Sequence, residues 1–224
     1  MLGAAWECFL NAVQADFYLA QESRPYPKAQ EGHMVWNEIG GTRDWGSGIY
    51  SPKYEINEED IGSKFKGALT IANANVTDTP LTLVSLYGLM ESSGSAKGYS
   101  VTNLHRMLSD LTGLLNGHVG GKRNIILGGD LNASTQFDAV QKNHSHELFF
   151  ARMADFGLQD AYVLAGNKTH VQTLRRTHND TPWQDDYLFI SKKLAHGFKS
   201  IEIIDTEEVR RFSEHNILLT AVEL

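Results

Sequence analysis

Carboxylates, a carboxamide, a phenol and an imidazole stand in this sequence where short apolar runs meet loops. In Ile125-Ile-Leu-Gly-Gly-Asp130-Leu-Asn132, paired glycines let the backbone turn tightly and approach a ligand. On an extended backbone Asp130 and Asn132 face the same way, offering a charged acceptor and a neutral amide to one spot. Glu22 closes the run Phe17–Ala20 behind Gln21, and a carboxylate at a strand tip suits a hard cation. Tyr87 closes Leu81–Leu86, placing a hydroxyl that can bond a phosphate oxygen. Asp185-Asp186 enters the apolar strand Tyr187–Ile190, which costs free energy unless the carboxylates are paired or hydrogen-bonded. His215, in Ser213-Glu214-His215-Asn216 before Ile217–Val222, is the natural acid/base or phosphate-contacting group near neutral pH. Each has an ordinary alternative: a solvated glutamate, a half-buried core tyrosine, an Asx turn at Asp130, a capping aspartate, a surface histidine.

The elements that must position these groups follow from periodicity. Trp6, Phe9, Leu10 and Val13 make the apolar face of an opening helix. A short strand over Asp16–Gln21 precedes a Pro/Gly-rich loop through Gly41. Strands are expected at Ser47–Ser51, Ala68–Val76, Leu81–Tyr87, Asn124–Gly128, Thr169–Thr173, Asp186–Ser191, Ile201–Ile204 and Ile217–Val222. One helix is expected over Val101–Leu115 with Ser100 as N-cap, and another capped by Ser145, carrying Leu148, Phe149, Met153 and Phe156 and stopped by Gly157. Strands too numerous for one per helix predict an α/β fold with a two-sheet β-sandwich core flanked by helices, a four-layer α/β/β/α arrangement, over a single domain 1–224.

Composition narrows the function. A net charge of −7 argues against a passive, charge-driven nucleic-acid coat protein, but not against an enzyme that meets phosphate through a metal ion. The lone Cys8 excludes an intrachain disulfide and a thiolate zinc site, and fits a reducing, cytoplasmic location. No apolar run is long enough to span a bilayer, and Glu7 inside the first apolar stretch, with no basic flank, does not read as a signal peptide. His144 and His146 read as a capping loop rather than a metal tract. His170 and His178 flank Arg175-Arg176, read as a solvated loop.

Gln21-Glu22, Tyr87, Gly129-Asp130-Leu131-Asn132, Asp186-Tyr187 and Ser213-Glu214-His215, in that order, resemble the signature set of the endonuclease/exonuclease/phosphatase family. This family includes AP endonucleases and deoxyribonuclease I-type enzymes; Trp45-Gly46 through Ser51 is similar to its Gly-containing strand ending in Ser. The resemblance runs from about residue 6 to the end, and its ordered set is far more specific than any one motif. It implies a Mg²⁺- or Mn²⁺-dependent phosphoesterase, a phosphodiesterase or nuclease in which water attacks phosphorus in line with the leaving oxygen. On that pattern Glu22 is the main metal ligand and Glu214 a second. Asp130 orients or deprotonates water, Asn132 positions it, Tyr87 contacts a non-bridging oxygen, and His215 stabilises the transition state with Asp186 fixing its ring. Two features depart from the pattern: the family's first strand, ending in Asn, has no counterpart here, and Glu214 stands where the family has Asp. A DNA or RNA substrate is expected, Tyr87 standing where the AP endonuclease branch has Tyr. The alternatives are a phosphatase of a small phosphorylated or lipid-headgroup substrate, and a binding protein that keeps the fold without catalysis.

Overall fold

Apolar residues alternating along short β-prone runs, with helical stripes between them, are what a layered α/β chain requires. The computed structural model describes residues 3–76, 78, 80–90, 92–93, 96–97, 101–119, 123–176 and 179–224. Helix α1 (Gly3–Ala12) leads into strands β1 (Tyr18–Ser23), β2 (His33–Gly40), β3 (Arg43–Ser51), β4 (Ile56–Glu58), β5 (Leu69–Ala74) and β6 (Leu81–Leu86). The short pair β7 (Ser92–Ser93) and β8 (Ala96–Lys97) precedes α2 (Val101–Asp110), α3 (Thr112–Val119) and β9 (Asn124–Asp130). Then come α4 (Thr135–Gln141), α5 (Ser145–Asp155), β10 (Leu158–Asp160), α6 (Ala161–Leu164), β11 (Leu174–Arg176) and β12 (Asn179–Trp183). The chain closes with β13 (Asp186–Ser191), β14 (Phe198–Ile204), α7 (Glu207–Phe212) and β15 (Ile217–Val222).

A six-stranded sheet in the order β10-β13-β9-β6-β5-β4 forms the middle of the molecule. Its neighbours are antiparallel except β6 and β9, which run parallel. Alternate residues serve opposite faces. Val84, Leu127 and Phe189 pack under Leu104, Met107 and Leu108 of α2 and Phe149 and Met153 of α5. Leu83, Ile126 and Ile190 face the second β layer, where they meet Ile49 and Leu19. That layer is in two pieces, the sheet β1-β3-β2 and the hairpin β14-β15. Outside it, Trp6, Phe9 and Leu10 of α1 cover Tyr18, Tyr50, Ile204, Ile217 and Leu219. The order is helix, sheet, sheet, helix, the four layers expected. None of the described helices is long and apolar enough to cross a membrane.

Several boundaries differ from expectation. The supposed loop before Gly41 contains β2, whose residues His33 to Gly40 pair with β3; cross-strand pairing overrides the local Gly/Pro signal there. Thr169–Thr173 is irregular and the strand begins only at Leu174, the main-chain carbonyl of Thr173 accepting from Asn216 N in the loop before β15. The helix expected over Val101–Leu115 continues to Val119 as α2 and α3, joined by Leu111 N–H bonding Met107 O and Leu115 N–H bonding Leu111 O. Its expected cap, Ser100, lies outside the described residues, as does His178. Ser145 does not cap α5. Asp138 of α4 does so across the turn, accepting from His146 N and Glu147 N at 3.1 and 2.8 Å.

His146 is fully buried beside Phe137, and neither ring nitrogen has a hydrogen-bond partner. Burial lowers its pKa, opposed by nearby Asp138 and reinforced by His105. The folded chain holds a neutral ring there, whereas the unfolded chain protonates it near pH 6.5, so stability falls as pH drops through that value. Replacing His146 with Leu should flatten the decline of thermal stability between pH 7 and 5, by up to about 1.4 kcal/mol per pH unit. Melting curves as steeply pH-dependent in the variant as in the parent would exclude His146 as the source.

Candidate active site

The centre of the site is set by strand register. Asp130, the last residue of β9, lies directly opposite Asp186, the first of β13. Gly129 makes the approach possible. Its φ is 146°, and a Cβ there would sit 2.2 Å from Leu86 O and 2.7 Å from the Gln21 side chain. His215 is drawn to this pair by an antiparallel bridge with Leu174. Its Nδ1 lies 2.8 Å from Asp186 Oδ2 and its Nε2 3.8 Å from Asp130 Oδ2. One ligand atom from each of the three lies within 4.8 Å of the others.

Two carboxylates this close cannot both stay charged unless a cation joins them. Burial works against a charge on His215, but the bonded Asp186 carboxylate outweighs it, with help from Asp130, and the ring's pKa is raised to about 10. Asp130, only 7% exposed, is pushed above the usual carboxylate range by burial; His215 opposes the rise and Asp186 adds to it. Asp130 and the imidazolium therefore compete for protons across a short gap.

Asn132 joins the group by a different route from the one expected. The backbone is not extended: Asn132 has φ 47°, its N–H bonds Asp130 Oδ1 at 3.0 Å, and its Nδ2 reaches Asp130 Oδ2 at 3.2 Å and Gly88 O at 3.1 Å. The Asx turn, offered as the ordinary reading, is thus the device that brings the amide onto the aspartate.

Glu22 and Tyr87 form the opposite rim. The register of β1 against β3 shifts between Ala20 and Ser23, and Glu22 takes φ 48° inside that irregularity. Such a bulge re-aims a side chain at a cost of about 1–2 kcal/mol. The Tyr87 hydroxyl donates to Glu22 Oε1, and Trp45 stacks edge-on against the Tyr87 ring. Gln21 Nε2 donates to the buried Ser85 hydroxyl at 2.8 Å, tying this rim to β6. Of these, sequence reasoning did not single out Ser85; a serine within a wholly buried strand was the available signal.

Glu214 stands apart from the expected set. Its side chain is exposed, its main-chain oxygen accepts from Arg175 N, and the close group of acidic and imidazole ligands does not include it. Arg175 bonds Asp205 and Ser213 O, and His170 bonds Thr135 Oγ1, so both are engaged outside the cluster. Behind the site runs a groove of about 730 Å³ between β1 and β15, with Glu22, Asp130, Asp186 and His215 at its polar end and Phe17, Leu83 and Leu218 among its walls. Among the described residues β1 pairs only with β3 and β15 only with β14, so the two edges bordering the groove carry no ladder.

No protein-family model matches the sequence, and no curated protein does. Solved structures do match. The endonuclease domain of TRAS1, a telomere-specific non-LTR retrotransposon, superposes with TM-score 0.73 at 14% identity, covering 100% of this chain and 94% of that one. The 3′-5′ exonuclease NExo from Neisseria meningitidis gives 0.71 at 14% identity, covering 98% and 93%. An AP endonuclease from Archaeoglobus fulgidus gives 0.66 at 17% identity, covering 96% and 92%. The chain therefore has the endonuclease/exonuclease/phosphatase fold, the α/β sandwich of deoxyribonuclease I-like proteins, as the ordered motifs implied.

The donor set suits a hard divalent cation: carboxylates and an amide oxygen, with no thiolate among them. His215 Nδ1 is held by Asp186, which leaves Nε2, on the Asp130 side, as the ring atom able to donate to substrate when charged or to meet an ion when neutral. Replacing Asp186 with Asn removes the partner that offsets burial, so the His215 pKa in the metal-free protein should fall by at least one pH unit. Titrating the His215 ring by NMR checks this, and an unchanged pKa would show that Asp186 does not hold the charge.

Proposed function

We propose that this chain is a Mg²⁺- or Mn²⁺-dependent phosphoesterase, most specifically a nuclease, that hydrolyses a P–O bond by in-line attack of water. The observation that carries the reading is the Asp130–His215–Asp186 group, a buried acceptor facing a held imidazolium. It is supported by a fold in common with an endonuclease domain, an exonuclease and an AP endonuclease.

Glu22 would hold the ion, with Glu214 able to contribute through water, and the ion would offset charge on the phosphate oxygens. Asp130, made more basic than an ordinary carboxylate by burial, would in its ionised form accept the proton of the attacking water. The Asn132 amide, braced on Asp130 and Gly88 O, would position that water against phosphorus. His215 would donate from Nε2 to the oxygen on which charge develops, with Asp186 holding the ring's orientation and charge. Tyr87 would hold the Glu22 carboxylate in place before substrate binds and turn its single O–H to a non-bridging oxygen once the ion takes Glu22.

One observation favours a second substrate class. The net charge is −7, and a protein that tracks a nucleic-acid backbone usually does so with Lys and Arg. A small phosphorylated substrate or a lipid headgroup would need no such track.

The test is hydrolysis with and without Mg²⁺ or Mn²⁺ on plasmid, single-stranded DNA, an abasic duplex, a 3′-phosphorylated oligonucleotide and a small phosphomonoester. Metal-dependent cleavage is expected, lost by about 10²–10⁴-fold in Asp130→Ala and His215→Ala. Asp130→Ala should melt within a few degrees of the parent, since burial penalises that carboxylate, whereas His215→Ala should melt lower because it leaves Asp186 without its partner. Cleavage of phosphomonoesters alone would select the second class. Near-normal turnover in either variant would remove that residue from the mechanism, and inert parent protein that binds neither ion by calorimetry would leave a fold used for binding.

A further inference from the structure

Three loops must keep a common register for the Asp130–His215–Asp186 group to exist, and one residue outside the group joins two of them, through its hydroxyl to one and its main-chain carbonyl to the other. Thr173 is fully buried just ahead of β11. Its hydroxyl accepts from Asp185 N at 2.9 Å and from Asp186 N at 3.0 Å. Its carbonyl oxygen accepts from Asn216 N at 2.7 Å, and its own N–H bonds Trp183 O at 2.9 Å. Asn216 Nδ2 reinforces the same joint by bonding Gln172 O at 2.9 Å, and Leu174 bridges His215. From Asp185 the chain of contacts reaches the third loop, because Leu131 N, between Asp130 and Asn132, bonds Asp185 O at 2.8 Å.

We infer that Thr173 is a positioning residue: its hydroxyl and carbonyl together lock the Asp186 turn to the His215 turn and so set the Asp186–His215 hydrogen bond. The inference rests on the proposed phosphoesterase reading for its effect on turnover, but not for its effect on the hydrogen bond. The geometry supports a role of this kind over simple core filling. A hydroxyl that accepts two consecutive main-chain N–H groups fixes both the position and the tilt of the residue that carries the second. Valine fills the same volume and offers neither lone pair, so the Asp185–Asp186 turn must move to find other acceptors. A shift of about 1 Å is enough to misplace a reacting group and cost on the order of 100-fold in rate. Serine keeps the acceptor and loses only a methyl group.

The experiment compares Thr173→Val and Thr173→Ser in the full chain, with Asp186→Asn as control. The first readout is the downfield ring N–H proton of His215 in an ¹H–¹⁵N spectrum of metal-free protein, which a strong bond to Asp186 produces. The signal should persist in the serine variant and vanish in the valine variant, as in Asp186→Asn, with circular dichroism unchanged. The second readout is steady-state kinetics on the best substrate: kcat should fall about tenfold to a hundredfold in Thr173→Val with KM changed by less than about threefold, and Thr173→Ser should restore it. If the valine variant does not fold, Thr173→Cys serves instead, being close to serine in size but a weak acceptor. Retention of the His215 signal in Thr173→Val, or equal behaviour of the cysteine and serine variants, would overturn the inference. Should the parent protein prove inert on every phosphoester, the spectra still decide the positioning role, so the two readings fail separately.

Discussion

The geometry of this molecule turns on the antiparallel register that sets Asp130 opposite Asp186 at the edge of a packed sheet. Two carboxylates held that close and largely buried repel one another, and a positive group between them relieves the repulsion. His215 does so, with Nδ1 on Asp186 and Nε2 toward Asp130. Much of the surrounding structure exists to deliver that imidazole. The bridge from Leu174 and the two backbone bonds at Thr173 and Arg175 hold the loop before β15 against β11, and the Thr173 hydroxyl ties that segment to the start of β13. A change in that loop alters the charge balance of the group, because the charge on His215 depends on its bond to Asp186.

The opposite rim depends on a different device. Glu22 is exposed and so is not fixed by burial. It is fixed instead by a strained backbone at the irregularity in β1 and by the Tyr87 hydroxyl on its carboxylate. Gln21, one residue earlier, ties the same bulge to Ser85 in the buried strand β6. The site is therefore assembled from both β layers, one side held by register and the other by side-chain clamps. Between them the second layer is split, and the groove it leaves opens at the place where the two rims meet.

What the sequence made legible follows this division. Asp130, Asn132, Asp186 and His215 could be read because polar groups at the ends of apolar runs are costly and therefore informative, and because their order matched a known set. The four-layer architecture was readable from periodicity alone. The strand β2 was not: it carries an alternating pattern in Val35, Asn37 and Ile39, but lies behind Pro25, Pro27 and Gly32 and is made by pairing with β3. Asn132 does lie beside Asp130, but through a left-handed turn and not the extended backbone expected. Thr173 left no local trace, since a threonine in a polar stretch is ordinary until the partners of its hydroxyl are known. Asp138 likewise could not be recognised as the cap of a helix that begins seven residues later, because that function belongs to the fold and not to the neighbouring sequence.

The acidity of the chain bears on how such a site would meet phosphate. At the cluster itself the charges nearly cancel: the imidazolium of His215 balances Asp186, while Asp130 sits close to its own protonation point. The net −7 is therefore a property of the rest of the surface, and at ionic strengths near 0.15 M it is screened beyond about 8 Å. A cation held at Glu22 would turn the local field positive over that same distance. On the proposed reading, the attraction that a held cation adds is confined to the few ångströms around one phosphate. An enzyme arranged in this way gains little from the length of a nucleic acid. Its selectivity has to come from the shape of the ends, gaps or altered residues that let one phosphate enter the site, not from a long electrostatic track.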